Sequence, residues 1–388
     1  MKSLTDRTAS LLPVRLLLLA LCLAAFSSHP AFAQTTANPA IAPDPYAEAR
    51  AHAHQIGNEL LSRGIPGLAV AVAIDGRIVY AEGFGYADLE ERVPAWPTTK
   101  FRIGSISKTF TAAALMQLVE QGKIDLDAPV QKYVPSFPNK GAEITPRLLA
   151  GHLAGIRHYK DDEVFITQHY DSVVEALKIF EYDPLVSPPG AAFHYSSYGF
   201  NLLSAVIESA SGEKFVSYLQ EHVFTPLGLI DTTADQNSAI IPQRSRFYDL
   251  EKDGADENSS YVDNSYKWAS GGLLSTPEDL VRFGSTLLHP GFLTENSLRQ
   301  LFTSQKTNSG QETGYGIGWF IRKSQSGLPI YEHSGGSVGG TSQLIIYPET
   351  RVVVALTTNL SDAPWKIADV ESIAEPFAPK WVLQTERR

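Results

Sequence analysis

The sequence of 388 residues contains a single cysteine, Cys22, which lies near its amino terminus. The rest of the chain therefore has no disulfide, no thiol nucleophile and no thiolate metal site. It also lacks a block of basic residues, and its formal charge of −10 argues against a nucleic acid partner. No His-Glu-x-x-His or comparable ligand spacing occurs among the 10 histidines, so we expect neither a metal nor a cofactor.

The apolar run over residues 16–26 is about half of the ~20 residues that are needed to span a bilayer. Basic residues precede this run, and an Ala-x-Ala site ends at Ala33, a combination that is typical of a cleavable secretory signal. We therefore predict a signal peptide over residues 1–33, a Thr/Ala/Pro-rich tether over residues 34–45, and a secreted or periplasmic protein without stable membrane insertion.

The strongest candidate for chemistry is the Ser-x-x-Lys pair of Ser105 and Lys108, ahead of an amphipathic helix predicted over residues 111–123. Residues three apart share a helix face, so the two side chains are expected to lie within reach of each other. A lysine in a dry pocket can activate a serine hydroxyl, although an N-cap serine beside a solvated lysine is the alternative. A second match at residues 211–214 contains a glycine typical of a helix end, and we interpret it as a surface turn.

Two further clusters carry polar chemistry. Tyr195 follows a Pro-Pro-Gly loop and precedes a predicted helix, where its phenol could relay protons from a lysine or simply pack with a satisfied hydroxyl. Residues 332–340 include four glycines within six positions, which lets a backbone approach a ligand. Ser337 matches the Gly-x-Ser-x-Gly nucleophile motif, but we exclude it because that motif needs a following helix and residues 341–347 predict a strand.

The pattern of elements predicts one α+β domain over residues 46–388. We expect an antiparallel sheet flanked by terminal helices, with a sheet lobe at about 46–100 and 303–388 and an inserted, mainly helical lobe at about 101–302. A site between the lobes would draw residues from both. The predicted elements outside the insert are a helix over 46–63, a hairpin of strands over 68–74 and 77–83, strands over 317–323, 330–333, 341–347 and 352–358, and a helix over 365–384.

Ser-x-x-Lys, Tyr-Ser-Ser and His-Ser-Gly in this order resemble the serine β-lactamase and penicillin-binding-protein superfamily, in particular its branch of class C β-lactamases, D,D-peptidases and esterases. The resemblance covers about residues 46–360. Within that branch the chain is similar to the LACTB-like serine hydrolases, on the stretches 102–108, 153–159, 261–272 and 333–336.

The resemblance implies a role for each motif. Ser105 would be the acylated nucleophile, Lys108 its base partner, and Tyr195 the group that exchanges protons with the nucleophile and the leaving group. The backbone N–H groups of Ser105 and Gly336 would form the oxyanion hole.

The same resemblance places Ser197, His333 and Gly335 against the substrate. Ser197 falls where penicillin-recognising enzymes usually have Asn, and His333 falls where they usually have the Lys of Lys-Thr-Gly. Because histidine is mostly neutral at neutral pH, these departures favour a peptidase or esterase over a strong β-lactamase. We therefore expect an exported serine hydrolase that takes a small-molecule or peptide substrate with a peptide, ester or amide bond. The alternatives are a modest β-lactamase, a non-catalytic scaffold or binding protein and, less favoured for lack of ligands, a metallohydrolase.

Overall fold

A computed structural model describes residues 44–378. The predicted signal peptide, nearly all of the predicted tether and the end of the closing helix predicted to residue 384 lie outside these residues. Within the described range, no helix combines the length and the apolar character that crossing a membrane requires.

The regular elements of the described chain are α-helices and strands, with strands near both ends and most of the helices between them. The α-helices are α1 (Ala47–Ser62), α2 (Ser107–Glu120), α3 (Pro146–Ala150), α4 (Val173–Ala176), α5 (Ser197–Ser211), α6 (Phe215–Leu219), α7 (Trp268–Gly271), α8 (Pro277–Thr286), α9 (Glu295–Leu301) and α10 (Ile367–Ala374). The strands are β1 (Gly67–Ile74), β2 (Arg77–Asp88), β3 (Val93–Pro94), β4 (Phe101–Arg102), β5 (Thr233–Ala234), β6 (Tyr248–Leu250), β7 (Asp256–Asn258), β8 (Leu273–Ser275), β9 (Phe320–Lys323), β10 (Pro329–Ser337), β11 (Gly340–Tyr347) and β12 (Val352–Thr358).

The main sheet joins strands from both ends of the chain. Its seven strands follow the order β3-β2-β1-β12-β11-β10-β9, and every pairing between neighbours is antiparallel. The predicted hairpin is confirmed, because Asp75 and Gly76 connect β1 to β2 with φ values of 50° and 78°. Two successive positive φ angles match the right-handed twist of the strands they join.

Consecutive residues of β1 face opposite layers of the fold. Val70 and Val72 pack in one core cluster with residues of α1 and α10, whereas Ala71 and Ala73 pack in a second cluster with residues of α2 and α8. The small side chains on this second face suit a close helix, and a Cβ on Gly284 of α8 would come within 2.7 Å of a β12 side chain. This arrangement confirms the predicted α+β fold with terminal helices on one face of the sheet.

The inserted lobe is mainly helical, as predicted, but it also contains two small sheets that were not predicted. One has the order β4-β8-β5 and the other pairs β6 with β7. Strands of two or three residues are too short to display a period of two, so the sequence carries no signal for them. The first of these sheets matters for function, because β4 leads directly into the segment that carries Ser105.

Candidate active site

Ser105 lies in a turn of 3-10 helix, Gly104–Ile106, between β4 and α2. The turn packs against the end of β10, since a Cβ on Gly104 would lie 2.5 Å from the carbonyl oxygen of Gly336. Gly104 also has a φ of 47°, a left-handed conformation that glycine adopts without strain. A Cβ on Gly335 would likewise overlap the carbonyl oxygen of Ile103. Glycines on both sides thus allow the serine and the strand to meet.

Lys108 lies below the serine with no side-chain exposure to solvent. Its Nζ is 3.0 Å from Oγ of Ser105, 3.2 Å from Oγ of Ser197 and 2.6 Å from the carbonyl oxygen of Ser270. Burial, reinforced by the charge of Lys267, lowers the pKa of Lys108 well below its ordinary value. In the neutral amine, two N–H bonds can be donated to Ser270 and Ser197, which leaves the lone pair for the hydroxyl proton of Ser105.

Tyr195 lies on the other side of the lysine, just before α5. Nζ of Lys108 is 4.9 Å from the centroid of the Tyr195 ring. Burial raises the pKa of the Tyr195 phenol, and a hydrogen bond with Ser105 opposes this effect only in part. The phenol therefore stays protonated at neutral pH, a state in which it can donate a proton.

The start of α5 positions both Tyr195 and Ser197. Ser196 caps the helix: its Oγ accepts a hydrogen bond from the N–H of Gly199 at 3.0 Å and donates one to the carbonyl of Arg157 at 2.7 Å. Ser197 is buried, and its Oγ contacts Lys108 and the hydroxyl of Tyr159. Its side chain therefore belongs to the polar network beneath Ser105 rather than to the surface of the site.

His333 is 1% exposed, and both of its ring nitrogens have partners. Nδ1 lies 2.7 Å from the carbonyl oxygen of Ser334, and Nε2 lies 3.0 Å from the hydroxyl of Tyr315. Because a carbonyl only accepts, Nδ1 carries the proton and Nε2 accepts from the tyrosine. Burial and the charge of Lys108 lower the pKa of His333 to about 3. The residue is therefore neutral at pH 7 and supplies no cation for a substrate carboxylate.

The site also contains residues that lie outside the three sequence motifs. His158 and Tyr159 approach from the loop after α3, and Lys267 lies in the 3-10 turn before α7. Lys267 is 3% exposed with Nζ 5.2 Å from the ring centroid of Tyr266, and burial lowers its pKa to about 7. The stretches 153–159 and 261–272 carried a family resemblance but no motif with a known mechanism. The sequence therefore indicated that these segments matter, but not which of their side chains lie in the site.

His152 is buried beside Tyr195 and is held by a hydrogen bond. Its Nδ1 accepts a hydrogen bond from the N–H of Ser196 at 3.1 Å, and its ring lies 4.3 Å from that of Tyr195. One group elsewhere in the described chain has spacing suited to a metal ion, namely Glu213, Glu221 and His222. There His222 is already hydrogen-bonded to the carboxylate of Glu213, at 2.9 Å.

Residues 44–372 match the family model described as "Beta-lactamase". Serine beta-lactamase-like protein LACTB, mitochondrial, of Homo sapiens is 34% identical over 390 residues, covering 76% of this chain and 71% of that protein. The octameric penicillin-binding protein homologue from Pyrococcus abyssi has a TM-score of 0.71 and 29% identity, covering 82% of this chain and 75% of that one. The D-stereospecific amidohydrolase from Streptomyces sp. has a TM-score of 0.72 and 25% identity, covering 83% and 98%. The chain belongs to the β-lactamase family and is a LACTB-like serine hydrolase with the fold of the penicillin-binding proteins.

Proposed function

We propose that the protein forms an acyl-enzyme at Ser105 and cleaves amide, peptide or ester bonds. The observation that supports this most directly is the 3.0 Å distance between Nζ of Lys108 and Oγ of Ser105. A completely buried lysine with a lowered pKa can take the hydroxyl proton at neutral pH.

In the proposed first step, Oγ of Ser105 bonds to the substrate carbonyl carbon while its proton passes to Lys108. The carbonyl oxygen becomes an oxyanion, which the backbone N–H groups of Ser105 and Gly336 would stabilise. The bond to the leaving group then breaks, and that group takes a proton from Tyr195 or from the lysine. Water, or another acceptor, attacks the acyl-enzyme in the second step and releases Ser105.

The substrate class follows from what His333 does not supply. A neutral, fully engaged imidazole offers no charge for the carboxylate of a β-lactam or of a terminal D-amino acid. We therefore favour amides, peptides and esters that lack a carboxylate at this place, with β-lactams as poor substrates. The similarity to an amidohydrolase named D-stereospecific makes D-amino acid amides the first amides to test.

We further propose that the enzyme acts outside the cytoplasm. The support is the basic start, the apolar run over residues 16–26 and the Ala-x-Ala site that ends at Ala33. Expression in a bacterial host followed by mass spectrometry of the periplasmic protein tests this: a chain beginning at Gln34 is expected, and an uncleaved chain retained in the cytoplasm contradicts it.

The acyl-enzyme is tested with a fluorophosphonate probe and intact-mass measurement. Wild type and Ser211→Ala, which alters the second Ser-x-x-Lys match, are expected to gain one adduct, whereas Ser105→Ala gains none. An equal adduct on Ser105→Ala, or none on wild type, contradicts the proposal. Turnover of D-amino acid amides, D,D-peptides, p-nitrophenyl esters and a β-lactam then ranks the substrate classes. No turnover of any of them would favour the scaffold alternative.

A further inference from the structure

His158 is more exposed to solvent than Ser105 and Tyr195, which are half-buried. Lys108, Ser197 and His333 are buried, whereas His158 is exposed. Its ring stacks on that of Tyr159 at a centroid distance of 4.5 Å and meets the ring of Tyr195 edge-on at 5.6 Å. The imidazole therefore forms a wall of the site on the side of α5.

The hydrogen bond on its inner side determines the tautomer of His158. The backbone N–H of Ser197 lies 3.2 Å from Nδ1. Because a backbone N–H only donates, Nδ1 accepts and the proton of the neutral ring is on Nε2. Within residues 44–378 the structure gives Nε2 no hydrogen-bond partner, so the outer edge of the ring presents an available N–H donor.

The charges around His158 keep this donor in one state at neutral pH. The side chains packed around the inner part of the ring partly desolvate it and lower the pKa of His158 to about 4, and Lys108 and Arg157 act in the same direction while Glu163 opposes them. Between that value and the alkaline range, the ring is neutral and Nε2 carries its hydrogen.

The donor on His158 lies next to Ser197, which falls where related enzymes usually have Asn, whose amide orients the acyl group. The hydroxyl of Ser197 contacts Lys108 and Tyr159, and it is 2% exposed as a residue. That hydroxyl is therefore engaged, whereas the outer edge of the neighbouring His158 imidazole is exposed.

We propose that His158 determines specificity, with its Nε2–H donating a hydrogen bond to an amide carbonyl in the acyl portion of the substrate. The enzyme would then prefer peptidyl and N-acyl-aminoacyl groups over simple alkanoyl groups. This inference rests on the proposed acyl transfer at Ser105, and it adds a preference that Ser105, Lys108 and Tyr195 do not impose.

Two p-nitrophenyl esters with acyl chains of equal length test the preference. The N-acetylglycyl ester carries the amide carbonyl, the pentanoyl ester lacks it, and the measured quantity is the ratio of their kcat/KM values after subtraction of spontaneous hydrolysis. His158→Asn keeps an acceptor near Nδ1 but has no group that reaches the position of Nε2, whereas His158→Gln places an amide N–H there. We expect His158→Asn to lower the ratio about three- to tenfold, as for one hydrogen bond, and His158→Gln to retain it within about twofold.

A structural role for His158 would give the opposite pattern. If the contact with Ser197 is what matters, His158→Gln slows both esters and His158→Asn slows neither, and the proposal is wrong. An unchanged ratio of the two kcat/KM values in His158→Asn also contradicts the proposal. If wild type hydrolyses neither ester, that result contradicts the acyl-transfer proposal. Calorimetric titration of N-acetylglycine methylamide then tests separately whether His158 binds an amide carbonyl. Weaker binding to Ser105→Ala/His158→Asn than to Ser105→Ala supports the contact, and equal binding overturns it.

Discussion

The amine nitrogen of Lys108 lies 3.0 Å from the hydroxyl oxygen of Ser105, and no carboxylate in residues 44–378 forms an ion pair with this lysine. A lysine paired with a carboxylate would hold its proton and could not act as a base. Here burial favours the neutral amine. The same burial lowers the stability of the folded protein and allows the lysine to act as a base.

The first prediction concerns the pH dependence of catalysis. Burial lowers the pKa of Lys108 well below its ordinary value of 10.5, so the neutral base persists to lower pH than for an exposed lysine and becomes protonated as the pH falls through that lowered pKa. We expect kcat/KM for an ester to decline on the acid side, with the acid limb displaced well below the ordinary lysine pKa. Lys108→Met should lose about 10²- to 10⁴-fold in kcat/KM at neutral pH. An acid limb centred near the ordinary lysine pKa, or a variant with full activity, would contradict this assignment.

The second prediction concerns Gly104, whose φ is 47° and whose added Cβ would lie 2.5 Å from the Gly336 carbonyl oxygen. Gly104→Ala should destabilise the protein and separate Ser105 from β10, with a loss of esterase activity. Gly122→Ala is the matched control, because Gly122 has a φ of 68° but open space around its Cβ position. The control should lower the free energy of unfolding by about 1–2 kcal/mol, because alanine is strained in the left-handed conformation, and it should retain activity. Equal losses of stability and activity in the two variants, measured by urea unfolding and ester hydrolysis, would show that the contact is unimportant.

The third prediction concerns the acid stability that His333 controls. Its pKa is about 3 in the folded protein and near 6.5 when unfolded, so the unfolded chain binds more protons between these values. The contribution of neutral His333 is complete above pH 6.5 and is lost as the pH falls toward 3, by about 1.4 kcal/mol per pH unit. His333→Gln should therefore lose less free energy of unfolding than wild type between about pH 7 and pH 5. His289→Gln, at an exposed position, serves as the control. Parallel curves for wild type and His333→Gln would refute the prediction.

The fourth prediction concerns Lys267, which is 3% exposed and has a pKa of about 7. The unfolded chain binds more protons than the folded protein between pH 7 and the ordinary lysine value of 10.5, so wild-type stability rises with pH across this window. Lys267→Met removes the buried charge and should stabilise the protein by about 1–4 kcal/mol at neutral pH, with the gain shrinking at higher pH.

Lys214→Met, at an exposed lysine, is the control for the Lys267 prediction and should show no such pH dependence. Urea unfolding at neutral and alkaline pH measures both variants. A gain from Lys267→Met that is constant with pH would mean that the effect is packing and not charge.

The sequence was sufficient for the sheet and for the pairing of Ser105 with Lys108. The strand patterns and the Asp75-Gly76 turn predicted the strands around which the domain is built, because a period of two and a left-handed turn are local properties. Ser105 and Lys108 are likewise close in sequence and share one helix start, so their proximity follows from helix geometry. The short strands of the insert, with too few residues for a period, were missed.

The tertiary structure decided the charge states and the composition of the site wall. Lys267, His158 and Tyr159 are distant from Ser105 in sequence, and only folding brings them to Lys108. Whether His333 carries a charge, or whether Ser197 faces a substrate, depends on burial and on hydrogen-bond partners that no local pattern contains. Sequence spacing determined which residues can react, whereas desolvation, a property of the packed interior, decided which of them are neutral and which remain open to a ligand.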